Sequence, residues 1–126
     1  MTVGLAPATA AAILNIYRAT NITAPAAIYM KLHIGDPGAA GTANSSAVTT
    51  RNTITWAAPS GGSMTLASVA GYSMTTAETI THVSFWDSAT VGTFWQSAAL
   101  TASQAVINGS TLNFTSCTLS YSPLAA

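Results

Sequence analysis

The sequence predicts a mainly β fold, an antiparallel β-sandwich or barrel of jelly-roll type with one short N-terminal helix. Three observations carry that prediction. After Pro25, apolar and polar residues alternate in short runs, the period-two pattern of a half-buried strand. Turn signals interrupt those runs about every ten residues, as in small sandwiches and barrels. Only the first segment has helical spacing. At 126 residues the chain is the size of one domain, read as an N-terminal arm and helix over 1–24 and a β domain over 25–126.

The helix is expected over 7–20. Ala10, Ile13, Leu14 and Tyr17 recur at i, i+3, i+4 and i+7, and Pro7 suits a first turn, where a missing N–H is harmless. So short a helix needs a surface to dock on. In the next run Ile28, Met30, Leu32 and Ile34 share one face, and Tyr29, Lys31 and His33 the other. Gly35-Asp36-Pro37-Gly38 ends it with the Pro-Gly signature of a type II turn. Residues 38–50 are small, polar and aperiodic, a long loop of the kind that is either mobile or in contact with a partner. Strands follow at Arg51–Trp56, Ser63–Val69, Thr79–Trp86 and Val91–Ser97. Gln104–Ile107, Asn108-Gly109 and Ser110–Thr115 read as a hairpin about a type I′ turn. Leu112 and Phe114 then differ in parity from Cys117, Leu119 and Tyr121, which a bulge near Thr115-Ser116 would reconcile.

Composition narrows function. Only 5% of the residues are charged, namely Arg18, Lys31, Asp36, Arg51, Glu78 and Asp87, and the net charge is zero; ordinary soluble domains carry roughly 25%. Few acids, bases or nucleophiles remain for an active site, and a neutral surface favours association. Hydroxyl- and methyl-rich surfaces also cost less to dehydrate against another subunit than charged ones. Three scattered Lys and Arg residues leave almost nothing for counterion-release binding, so no nucleic-acid partner is expected. No apolar run nears the ~20 residues of a membrane span. The N-terminal apolar run has no Lys or Arg before it, and Arg18 follows it, which argues against a signal peptide. The single Cys117 excludes an intramolecular disulfide.

Reactive constellations are weak. His33 and Asp36, with His82 and Asp87, are the only metal-ligand candidates, and they lack the spacings of zinc modules; His33 fits the outward face of its strand and Asp36 its turn. Ser, His and Asp all occur, but Gly61-Gly62-Ser63-Met64 lacks the second glycine of a nucleophile elbow. Glu78 has no acidic partner for glycosidase chemistry and reads as a solvated strand end. Accordingly neither catalytic residues, nor a metal, nor a cofactor is expected. Trp56, Trp86 and Trp95 with Tyr29, Tyr72 and Phe94 could form a carbohydrate platform, but core or subunit interface is the simpler assignment. Trp95 beside Phe94 places aromatics on both sides of one strand, and the expected interface residues are Ile13, Tyr17, Trp86, Phe94 and Trp95.

Two stretches carry a resemblance. One is Leu32-His33-Ile34-Gly35-Asp36-Pro37-Gly38 running into Gly41-Thr42-Ala43-Asn44, then Arg51 and Thr55-Trp56-Ala57-Ala58. The other runs from Glu78 through His82-Val83-Ser84-Phe85-Trp86-Asp87 to Gly92-Thr93-Phe94 and Ala98-Ala99-Leu100-Thr101, continuing from Val106 to Leu112. Over roughly residues 28–115 the chain resembles small virion proteins of tailed phages, especially actinobacteriophages, known as tail-fibre, head-fibre or minor capsid proteins. The resemblance implies a β-rich, non-enzymatic module of the virion, assembled in the bacterial cytoplasm. It implies as partners further copies of the chain, in a homotrimer or other cyclic oligomer, and the major capsid or tail proteins. The leading expectation is a minor capsid or decoration protein, because the chain is short for a complete fibre. A tail-fibre or adhesin subunit is the alternative, and a carbohydrate-binding module the alternative from another class.

Overall fold

The structure, a computed structural model, describes residues 3–121; residues 1–2 and 122–126 of the two expected segments lie outside it. One helix, α1 (Pro7–Ile16), precedes eight strands: β1 (Ile28–His33), β2 (Asn52–Trp56), β3 (Ser63–Val69), β4 (Tyr72–Ser73), β5 (Glu78–Trp86), β6 (Phe94–Val106), β7 (Thr111–Leu112) and β8 (Thr118–Ser120). Six form one curled antiparallel sheet, a half-barrel in the order β6-β5-β1-β2-β3-β8, and β4 and β7 form a separate ribbon. The mainly β class with one short helix is thus the class observed.

Alternation places the core. Met30 and Leu32 of β1, Ile54 of β2 and Val83 and Phe85 of β5 join Tyr72 and Leu112 of the ribbon, and Met74 just beyond it, in one buried cluster. The ribbon therefore covers one face of the sheet. The Tyr72 hydroxyl donates to the Met30 carbonyl at 2.6 Å, and burial pushes its pKa up. Irregular pairing keeps apolar residues on that face. The β5–β6 register jumps from Ile80↔Gln104 to His82↔Ala99, which lets both Ile80 and Val83 reach the core. A second shift leaves Trp95 as an extra residue between Phe85↔Gln96 and Trp86↔Phe94.

Several local expectations give way to tertiary contacts. The helix stops earlier than 20: Ala19 adopts φ 56°, while Ala19 N–H donates to Ile16 O and Thr20 N–H to Asn15 O, a Schellman closure. Ile34 lies outside β1 and is exposed. The strand expected at Val91 begins at Phe94 and merges with the one expected at Gln104 into the 13-residue β6. The Asn108-Gly109 hairpin does not form. Only Gly109 of the two has positive φ, so the turn is not type I′, and Thr111 and Leu112 pair with Ser73 and Tyr72 instead. Met74 N–H donates to Ser110 O and Gly109 N–H to Met74 O, both at 2.8 Å. Burying Leu112 against Tyr72 and Met74 outweighs the local pairing. The parity change before Cys117 is likewise a change of partner, since β7 belongs to the ribbon and β8 pairs with β3.

The other face of the sheet is polar near β1 and is sealed by the long loop. His33 is fully buried rather than outward-facing. Its Nδ1 lies 2.8 Å from the Ala43 carbonyl and its Nε2 2.7 Å from Ser84 Oγ, while Trp86 Nε1 donates to the same Ser84 Oγ at 2.8 Å. The carbonyl can only accept, so Nδ1 carries the proton and Ser84 donates to Nε2. Glu78 is half-buried, not a solvated strand end; it accepts from the Ser46 hydroxyl and from the Ala47 N–H. Gly38 and Gly41 both take φ 71°, and Gly41 lies against the Phe94 ring, where an added Cβ would come within 2.5 Å of Cδ2. The loop thus closes on its own chain.

Two expectations follow from this seal. Gly41→Ala combines left-handed backbone with overlap on Phe94 and should lower stability by about 2 kcal/mol or more, read from the urea midpoint. For His33, burial is the largest influence and pushes its pKa below the ordinary 6.5, against the opposing pull of the Ala43 carbonyl. The unfolded chain then takes up a proton that the folded chain refuses, so stability is full above 6.5 and is lost as pH falls through the lower folded value. Urea midpoints should fall between about pH 7.5 and pH 5, and His33→Gln should flatten that slope; an unchanged slope would assign it to another group.

Candidate interaction surface

The arm before α1 extends the sheet at its β6 edge. Leu5 bridges Gln96, Ala6 N–H donates to Trp95 O at 2.9 Å and Ser97 N–H to Gly4 O at 2.8 Å. This contact positions α1 beside β6. Ala6, at the start of the helix, packs with Trp86 and Phe94, whose rings lie 5.4 Å apart.

The helix docks by a different side from the expected stripe. Thr9 is buried, Ala10 and Ile13 are half-buried, and Leu14, Ile16 and Tyr17 are 64%, 57% and 87% exposed. Three neighbouring large apolar side chains therefore face outward. Between α1 and the opposite edge of the curled sheet runs a groove of about 230 Å³, lined by Leu5 and Ile13 on one side, Met64 and Leu119 on the other, with Trp56 and Trp95. Two buried polar atoms at the α1–β6 seam, Thr9 Oγ1 and Trp95 Nε1, have no hydrogen-bond partner. An unsatisfied buried donor costs about 1–3 kcal/mol. The groove beside this seam is lined mostly by apolar side chains, as surfaces that meet a partner often are.

The five residues expected at an interface separate here. Tyr17 is open, and Ile13 and Trp95 line the groove. Trp86 and Phe94 are only 6% and 9% exposed, inside the chain's own core, so they offer a partner almost no surface. Leu14, Ile16, Met64, Leu119 and Leu5 join the surface instead. Leu14 belonged to the expected helical stripe, and Met64 and Leu119 were apolar strand positions; only the curl of the sheet shows that they face α1 across a groove.

The reactive candidates are structural. Ser84 and His33 have the spacing of a nucleophile and its base, but both are fully buried and Ser84 Oγ already accepts from Trp86, which leaves no approach for a substrate. His82 Nδ1 bonds Thr81 Oγ1. Asp36 Oδ1 accepts from Gly38 N–H, and Asp87 Oδ1 from Thr93 N–H at 2.7 Å, each closing a turn. Burial pushes the Cys117 thiol pKa up, away from a reactive thiolate. Among the described residues no helix is long and apolar enough to cross a membrane.

No curated protein matches the chain. A protein family does, over residues 4–122, a span that includes the arm, the helix, both sheets and the covering loop. That match takes in nearly the whole chain, and its description names a podophage fibre. The chain belongs to the family of Podophage GP4 fiber I protein gp80.

Proposed function

We propose that this chain is a structural subunit of a fibre on the phage particle and that it assembles with copies of itself through α1 and the adjoining groove. The family description supports the fibre, and the capsid-decoration placement has no comparable support. The observation that carries self-assembly is the exposure of Leu14, Ile16 and Tyr17 at the end of a helix whose Ile13 lines an apolar groove, on a chain of zero net charge. Nothing electrostatic keeps two such surfaces apart, and joining them removes apolar area from water. A closed cyclic oligomer such as a trimer would bury the cluster on every copy at once. Fixed contacts to other virion proteins would then be made by the assembled ring.

Light scattering on the purified chain tests this. Wild type should run as a discrete oligomer. Leu14→Ser with Tyr17→Ser alters side chains that are mostly exposed, so the fold should survive while the oligomer dissociates. Trp95→Ala should also weaken it, by about 2 kcal/mol, or roughly 30-fold in dissociation constant, if the indole packs against a neighbour. A wild-type chain that stays monomeric at high concentration would contradict self-assembly.

A further inference from the structure

The chain has three cationic side chains in all, and the fold brings two of them together. The β1–β2 register ends at Met30↔Asn52; Arg51 immediately precedes β2 and lines the same cleft as Lys31 of β1. Like charges brought this close repel each other. They are also partly withdrawn from water: burial first, and Arg51 second, hold the Lys31 ammonium below its ordinary pKa. The guanidinium of Arg51 is fixed. Its Cζ sits 3.9 Å over the Trp86 ring, and Nη1 donates to the Ser88 and Val91 carbonyls at 3.0 and 2.7 Å. Asp87 acts on Arg51, but among the described residues Lys31 has no carboxylate partner.

Both cations line an open cleft of about 510 Å³, together with Thr49, Thr50, Ala89 and Thr90. That volume is within the range of small-molecule sites. A rigid guanidinium, a movable ammonium and several hydroxyls at its rim suit an oxyanion attached to a hydroxylated framework. An anion seated there would also relieve the repulsion between the two cations. No apolar side pocket is present to hold a peptide side chain, since the lining is cations, threonines and one alanine.

We propose that the Lys31–Arg51 cleft binds the carboxylate or phosphate groups of an acidic polysaccharide. The assignment goes beyond assembly and does not depend on it, because the cleft residues are separate from the α1 groove. Calorimetric titrations of the whole chain would use four probes: oligogalacturonate, phosphodiester-linked mannose oligomers, neutral dextran and oligoglutamate. One or both acidic glycans should bind, more weakly as salt rises, and which of them binds distinguishes carboxylate from phosphate. Lys31→Gln should weaken binding at least tenfold and Lys31→Arg should restore most of it. Thr90→Val, on an exposed loop, should weaken it several-fold without altering melting. In low salt and without ligand, Lys31→Gln should melt no lower than wild type, because it removes a like-charge pair. Failure of both acidic glycans, equal binding of dextran or oligoglutamate, or binding untouched by Lys31→Gln would each overturn the proposal. A Lys31→Gln protein that melts well below wild type would also count against it, since Lys31 would then be held by its own chain.

Discussion

The chain of hydrogen bonds from Trp86 through Ser84 and His33 to the Ala43 carbonyl is what lets this sheet have two covered faces. Central strands β1 and β5 bury side chains on both sides at their paired ends. One face is apolar and takes the β4–β7 ribbon. The other presents His33 and Ser84, which are expensive to bury unless every donor and acceptor is met. The loop meets them with a backbone carbonyl and is itself fixed by Glu78 and by Asn44, which donates to the Asp36 carbonyl. A covering loop of small residues can approach closely, as Gly41 does on Phe94. With that seal made inside the chain, the large exposed apolar side chains of the helix and the apolar groove beside it are left for contact elsewhere.

Local pattern was legible wherever local pattern decides. The alternation in Ile28–His33 and the bounds of Ser63–Val69 follow directly from side-chain period. The helix start follows from Pro7. Its end does not, because Ala19 takes a left-handed conformation that Gly more often occupies. The Asn108-Gly109 turn also exists, but strands flanking a turn pair with each other only when no distant partner buries more. Here Leu112 goes to Tyr72. The loop over 38–50 carries no periodicity to read, and its role emerges only once His33 is seen beneath it.

The candidate sites show the same division. Of the adjacent aromatics Phe94 and Trp95, Phe94 is buried by the chain itself, while Trp95 lines the groove. Lys31 and Arg51 are far apart in sequence and look scattered; the fold brings them to one cleft, with Arg51 held there by Trp86 and the Ser88 and Val91 carbonyls. Low charge did not mean evenly spread charge. A neutral chain can concentrate its few cations in one cleft and leave an apolar helix for contact elsewhere, two surfaces suited to different partners. For a member of a phage fibre family, that separation would let one surface build the fibre while the other stays accessible.

A reconstruction of the virion at side-chain resolution tests the division of the molecule into a self-sealed polar face and an apolar helix and groove left open. The account predicts Leu14, Tyr17 and the groove buried against neighbouring copies, with the loop still seated on His33 through Ala43. A fibre in which α1 faces solvent while the loop is displaced from His33 to meet a neighbour would contradict it.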